Sequence, residues 1–176
     1  AMAYFVVRLE QEAAVEGYLA ECVDVERFLD CCRACENYGR RWSCPPFGFD
    51  PLRLWGRFRR LRLYARVLRP SAEETMGSLT EGMEREKAAL TAALLELERR
   101  TPGALALSAG GCHLCGSCAR VLGQPCRQPE AMRYSIEALG GDVGRTMERY
   151  FRHPLVWSRR GEVPEYLTLV GGLLLR

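Results

Sequence analysis

The chain has 176 residues, of which 48% are hydrophobic and 27% are charged, and its net charge is +3. This length fits a single domain, 1–176, and the composition excludes intrinsic disorder. No apolar run approaches the roughly 20 residues of a membrane-spanning helix, and a charge of this size does not by itself indicate a nucleic-acid-binding protein. Because the N-terminal residues lack the features of a secretory signal, we expect a cytoplasmic protein.

The first half of the chain predicts two strands and two helices. Residues 3–9 are rich in β-branched and aromatic side chains and predict the first strand. Residues 24–35 begin with Asp24, a favourable N-cap, and place apolar residues on one helical face, which predicts a helix. A short helix is expected over residues 51–60. Apolar and polar residues then alternate over residues 60–67, which is the period of a half-buried strand.

The second half predicts two further helices and two further strands. Residues 71–74 have the pattern of a capping box before a long amphipathic helix, and a Thr-Pro-Gly sequence at residues 101–103 ends that helix. Residues 104–109 predict a strand, a helix begins at Asp142, and residues 166–175 predict the last strand. Together these elements predict an α/β fold, a small sandwich with a roughly four-stranded mixed sheet, flanking helices and cysteine-rich loops.

The chain has nine cysteines, and seven of them fall into two groups. An odd, clustered set without an export signal argues against a disulfide framework and favours metal ligands. The first cysteine group has the pattern C-x2-C-x8-C and consists of Cys32, Cys35 and Cys44. The second cysteine group has the pattern C-x2-C-x2-C-x7-C and consists of Cys112, Cys115, Cys118 and Cys126.

The overlapping C-x2-C pairs of the second cysteine group favour an iron–sulfur cluster, because thiolates at this repeated spacing suit the corners of a [4Fe–4S] cubane. The last cysteine follows at a longer spacing than in ferredoxins, so the pattern matches the chemistry and not the ferredoxin fold. Zinc is the alternative cofactor, although zinc sites usually combine two separate pairs and overlapping pairs crowd a single ion. We therefore expect one or two [4Fe–4S] clusters.

The number of ligands distinguishes the two groups. The second cysteine group has four cysteines and can close a cluster by itself, whereas the first has three. A cluster in the first group therefore keeps one iron open, unless Cys31 supplies a fourth ligand or the two groups exchange a ligand. Cys31 adjoins Cys32, so its side chain points in another direction and we expect it not to be a ligand. Cys22 is expected to be a small buried hydrophobe.

The motifs around these cysteines resemble a prokaryotic family of predicted metal-binding proteins. The resemblance covers most of residues 28–151 and includes Cys32-x-x-Cys35-x-x-Tyr38-Gly39, Cys44-Pro45-Pro46, the second cysteine group with Pro125-Cys126-Arg127-x-Pro129, and the stretch 135–143. It implies metal binding by the seven cysteines and no particular reaction. Family members usually carry an aliphatic residue in place of Gly141, which predicts a looser loop here.

Three classes of function fit the sequence, and it leaves open whether the chain is an enzyme. They are a cluster enzyme with an open iron, an electron carrier or accessory protein with closed clusters, and a structural zinc module. Seven arginines and no acidic residue lie in residues 51–69, which fits a solvated face or a docking surface for a small anionic substrate or an acidic redox partner. Nucleic acid is not favoured as a partner, and no membrane partner is expected.

Several residues near the cysteines are expected to be structural rather than chemical. The only lysine among the 25 basic residues is attributed to compositional bias. Packing, turn or capping roles are favoured for Tyr38, Trp42, Ser135 and Glu137, and His113 is expected to support a site or stand beside it. For Arg127, an ion pair and a role beside the cluster are equally compatible with the sequence.

Overall fold

A computed structural model describes residues 4–176, so residue 3 of the predicted first strand lies outside the described residues. In chain order the elements are β1 (Tyr4–Ala14), α1 (Val15–Cys22), α2 (Val25–Arg33), α3 (Pro51–Trp55), β2 (Arg60–Pro70), α4 (Met76–Arg100), β3 (Leu105–Leu107), α5 (Val143–Thr146) and β4 (Leu167–Leu175). A 3₁₀ turn spans Ala119–Leu122, and a π-helical turn, Met147–Phe151, continues α5. No helix within residues 4–176 combines the length and apolar character that crossing a membrane requires.

The four strands form one sheet in the order β1-β2-β4-β3. β1 pairs with β2 along its whole length, from Tyr4 opposite Pro70 to Ala14 opposite Arg60, and β4 pairs with both β2 and β3. The predicted four-stranded α/β fold is confirmed, but each of these pairings is antiparallel and the sheet is not mixed. The reason is that β3, which the chain reaches from β2 through α4, runs in the same direction as β2. β4 then inserts between these two strands and runs in the opposite direction, so it is antiparallel to both.

Apolar side chains pack against both faces of the sheet. The alternation predicted for β2 is observed, since Leu61, Leu63 and Val67 are completely buried on one face. That face packs against a cluster that includes Tyr18 of α1 and Trp55 of α3. The opposite face packs against α4, which contributes the buried residues Leu90 and Leu94 to a second apolar cluster. The sheet is therefore covered by small helices on one side and by one long helix on the other.

Helix boundaries follow the predictions at some termini and not at others. Asp24 and Asp142 are N-caps, and their carboxylates accept hydrogen bonds from backbone N–H groups. The capping box of α4 is formed by Thr75 and Ser78, one turn later than predicted. The prediction misses α1, which has no side-chain cap, and α3 ends at Trp55 instead of continuing to residue 60.

The backbone around Gly141 is closely packed. A Cβ atom at this position would lie 2.2 Å from Ile136 Cγ2 and 2.8 Å from the Ile136 carbonyl oxygen. The N–H of Gly141 donates to that same oxygen, and the N–H of Asp142 donates to the Cys22 carbonyl at 2.7 Å. The prediction of a looser loop is wrong, because the missing side chain permits a close backbone approach.

Candidate metal centre

The seven predicted ligands lie at the ends of secondary-structure elements. Cys32 is in the last turn of α2, and Cys35 and Cys44 lie in the loop between α2 and α3. The second cysteine group lies after β3, on both sides of the 3₁₀ turn Ala119–Leu122. All nine cysteines are free thiols, so none of the predicted ligands is held in a disulfide.

Successive backbone turns bring the members of the first cysteine group together. The N–H of Cys35 donates to the Cys32 carbonyl at 2.9 Å, and the N–H of Gly39 donates to the Pro45 carbonyl at 2.8 Å. Gly39 has a φ of +69°, which suits a residue without a side chain where the loop reverses. Burial raises the pKa of Cys32, and the negative charges of the Cys44 and Cys35 thiolates would raise it further.

The four members of the second cysteine group line one small cavity. Its free space of about 20 Å³ is close to that of a single water molecule. Burial raises the pKa of Cys112, and the charges of Cys115, Cys118 and Cys126 raise it further. Metal ligation requires thiolates, so loading this site would release protons.

The donor set fits a thiolate-bound metal centre, although the thiols do not converge on one point. Within residues 4–176, no three cysteine, histidine, aspartate or glutamate side chains are close enough to hold a single metal ion. The second cysteine group therefore surrounds a shared space without forming a ready single-ion site.

Two arginines join the loops that carry the two cysteine groups. Arg41 donates to the Cys112 carbonyl at 2.6 Å, and Arg120 donates to the carbonyls of Cys44 and Pro46, also at 2.6 Å. The hydroxyl of Ser43 accepts the N–H of Cys112 at 2.9 Å. The positive charges of both arginines lower the pKa of Cys44, although burial has the larger, opposite effect. Sequence reasoning missed both arginines, because nothing in their spacing separates them from the other arginines of the chain.

The cysteines outside the two groups differ in burial. Cys22 is buried, with 2% of its surface exposed, as expected for a small hydrophobe. Cys31 is exposed on α2 beside Cys32, and its charge contributes to the raised pKa of Cys32. The structure thus keeps Cys31 near the first cysteine group but turns it towards solvent.

Neighbouring polar residues mainly bind the backbone. Trp42 donates to the Gln124 carbonyl at 2.9 Å, Arg127 donates to the Ser117 carbonyl at 3.1 Å, and Ser135 accepts the N–H of Ala138 at 3.0 Å. These contacts support the loops. In the arginine-rich segment, Arg60, Arg62 and Arg69 form exposed pairs with carboxylates, whereas the Arg66–Glu86 pair is mostly buried.

Two charged residues lie near the cysteine groups in a role that the sequence analysis did not assign to them, Glu137 and Lys87. Burial raises the pKa of Glu137, and one of its carboxylate oxygens is buried without a hydrogen-bond partner among residues 4–176. Burial lowers the pKa of Lys87, whose charge interacts with Glu137 and Cys112. The negative charge of Glu137 in turn raises the pKa of Cys32. The signal available in the sequence was that Lys87 is the only lysine.

Comparison with known proteins identifies a family. A family model described as "Predicted metal-binding protein (DUF2284)" matches residues 19–175, which is most of the chain and includes both cysteine groups. The comparisons with curated proteins and with solved structures gave no significant match.

Proposed function

The chain belongs to this family of predicted metal-binding proteins, and we propose that it holds its metal in [4Fe–4S] clusters. One cluster is bound by the second cysteine group, Cys112, Cys115, Cys118 and Cys126. A second cluster is bound by the first cysteine group, Cys32, Cys35 and Cys44.

The observation that carries this proposal is the arrangement of the second cysteine group. In a zinc site each sulfur lies about 2.3 Å from the ion, so the thiolates lie close to one another. In a cubane each thiolate binds a different iron, so the sulfurs lie farther apart around a common centre. Four cysteines share one cavity, so their thiols surround a common space. This shared cavity and the overlapping C-x2-C spacing of three of the four cysteines favour a cluster over zinc.

The first cysteine group supports a catalytic or ligand-binding role. An iron that no protein side chain ligates supplies Lewis-acid chemistry towards a small molecule. The chain contributes three thiols for such a cluster, and Arg41 and Arg120 place positive charge beside Cys44. The second candidate is an electron carrier with closed clusters. It is favoured by Cys31, an exposed free thiol directly beside Cys32 that is available as a fourth ligand.

The decisive experiment is anaerobic purification followed by analysis of iron, zinc and acid-labile sulfide. We expect a brown, oxygen-sensitive protein with nearly equal iron and sulfide. A colourless protein with stoichiometric zinc and no sulfide would overturn the proposal and favour the structural zinc module.

Titration of the reduced protein with cyanide or a small thiol, followed by EPR, distinguishes the two cluster functions. A shift in one cluster that persists in Cys31→Ala is expected for an open iron. An unchanged spectrum, or loss of one cluster in Cys31→Ala, would instead favour closed clusters and electron transfer.

A further inference from the structure

A second cavity lies beside the second cysteine group and has no role in the proposed function. It has a volume of about 230 Å³. One wall is formed by α4, and the other is formed by the segments 108–114 and 131–133. Cys112 and Leu114 line both this cavity and the cavity of the second cysteine group, so the two spaces are adjacent.

Lys87 supplies a positive charge to this cavity and forms no direct salt bridge within residues 4–176. Its side chain is half-buried, and its Nζ lies against the backbone at Gly110, 3.4 Å from where a Cβ atom would stand. A partly desolvated ammonium without an ion-pair partner is costly, so an anion that enters the cavity gains a strong interaction.

The other charged groups at the cavity are accounted for. Arg133 is held by both carboxylate oxygens of Glu98, at 2.8 and 2.5 Å, so its charge is already neutralised. The negative charges of Glu84, which is exposed on α4, and of Glu137 both act on Lys87, but neither carboxylate forms a salt bridge with it within residues 4–176. His113 also lines the cavity, next to Cys112. Lys87 is therefore the cation available to a ligand at this cavity.

The remaining lining is mainly apolar and defines the class of ligand. Ala88, Ala92 and Leu95 of α4 face Leu114 and Ala131 across the cavity. An apolar cavity with one charged group suits a small molecule that has a short hydrocarbon body and one anionic end. We propose that this cavity binds a small aliphatic carboxylate, whose carboxylate pairs with Lys87 and whose body packs between α4 and Leu114.

The site itself does not depend on the identity of the metal, because α4 and the two segments form it. One consequence does rest on the proposed function. Since Cys112 lines both cavities, a carboxylate bound here lies next to a ligand of the second cluster, and its negative charge alters that cluster's spectrum. The site can therefore be tested by binding and, separately, by its effect on the metal centre.

The test is calorimetric titration of the anaerobically purified holoprotein with butyrate, with butyramide as an uncharged probe of similar size. We expect saturable binding of butyrate and none of butyramide. Lys87→Met should weaken butyrate binding at least tenfold, whereas Lys87→Arg, which keeps the charge, should retain it within a fewfold. Arg85→Met is the matched control, because Arg85 lies on the same helix but faces the Tyr4 ring.

Three results would overturn the proposal: no saturable butyrate binding, equal binding of butyramide, or undiminished binding by Lys87→Met. If Lys87→Met fails to fold, the test uses Lys87→Arg and Arg85→Met. Loss of butyrate binding by Lys87→Arg, with unchanged binding by Arg85→Met, would overturn the proposal, because the positive charge would then not determine binding. The metal analysis gives an independent result. A zinc-containing protein that binds butyrate through Lys87 would refute the cluster proposal and retain the carboxylate site.

Discussion

The ion pair between Glu98 and Arg133 is expected to stabilise the fold and to position the segment that follows the second cysteine group. Arg133 donates to Glu98 Oε2 at 2.8 Å and to Oε1 at 2.5 Å, and the side chains are only 14% and 16% exposed. The same carboxylate accepts the N–H of Ala106 in β3 at 2.6 Å. Glu98 therefore joins α4, β3 and the segment 131–133, so Glu98→Gln should loosen all three.

The size of the effect follows from this geometry. Breaking a fully buried ion pair costs about 3–5 kcal/mol, whereas an exposed pair contributes about 0.2–1 kcal/mol. The Glu98–Arg133 pair is mostly buried, and glutamine keeps one acceptor oxygen, so we expect a loss of about 2 kcal/mol. For a chain of this size that loss lowers Tm by roughly 4–8 °C.

The effect should depend on pH. Burial acts to raise the pKa of Glu98, but the hydrogen bonds from Arg133 and from the N–H of Ala106 lower it by more, so its folded pKa lies below the ordinary value of 4.5. A carboxyl group of this kind stabilises the folded state fully above its unfolded pKa, and this contribution disappears as the pH falls through the folded pKa. The stability difference between the native protein and Glu98→Gln should therefore be constant near neutral pH and shrink below about pH 4.5.

Urea denaturation of the anaerobic protein at several pH values measures this difference. Glu96→Gln is the matched control, because Glu96 lies on the same helix and, among residues 4–176, pairs only with two exposed arginines, Arg99 and Arg100. That substitution should cost at most about 0.5 kcal/mol, and it corrects for any acid loss of metal shared by the variants. Equal effects of the two substitutions, or a difference that grows at low pH, would refute the reasoning.

Two further predictions concern the metal and the backbone. Cys115→Ser should lower the iron and sulfide content and the Tm, because a metal centre ties its loop to the fold, whereas Cys22→Ser should leave the metal content unchanged. Metal analysis and thermal melts test both variants. Loss of metal in Cys22→Ser would contradict the ligand assignment. Gly141→Ala should cost about 1–3 kcal/mol, since its Cβ would lie 2.2 Å from Ile136 Cγ2. Gly17→Ala is the control, because its Cβ would meet nothing within 4 Å, and it should be neutral or slightly stabilising in denaturant unfolding. Similar free energies of unfolding for the two glycine variants would show that the Gly141 loop can relax.

Features that depend on neighbours in sequence were predictable. The alternation in β2 and the apolar period of α4 reflect which side of each element is buried, and the N-caps Asp24 and Asp142 bond to backbone only three residues away. The grouping of the cysteines was equally visible, because ligands on one loop must be closely spaced. These local rules were sufficient for the α/β fold and the four strands, whereas the metal-binding family was indicated by the resemblance of the cysteine motifs.

Features that depend on distant residues required the tertiary structure. The antiparallel order arises because β4, the last strand, inserts between β2 and β3, and no local pattern in β4 specifies its neighbours. Likewise, Arg120 reaches the loop of Cys44 from 76 residues away, and Lys87 and Cys112 come from separate elements to line one cavity. Hydrophobic periodicity specifies which face of an element is buried but not which element covers it. The sequence therefore predicted the cysteine-rich loops, and only the tertiary contacts determined which charges and cavities lie beside them.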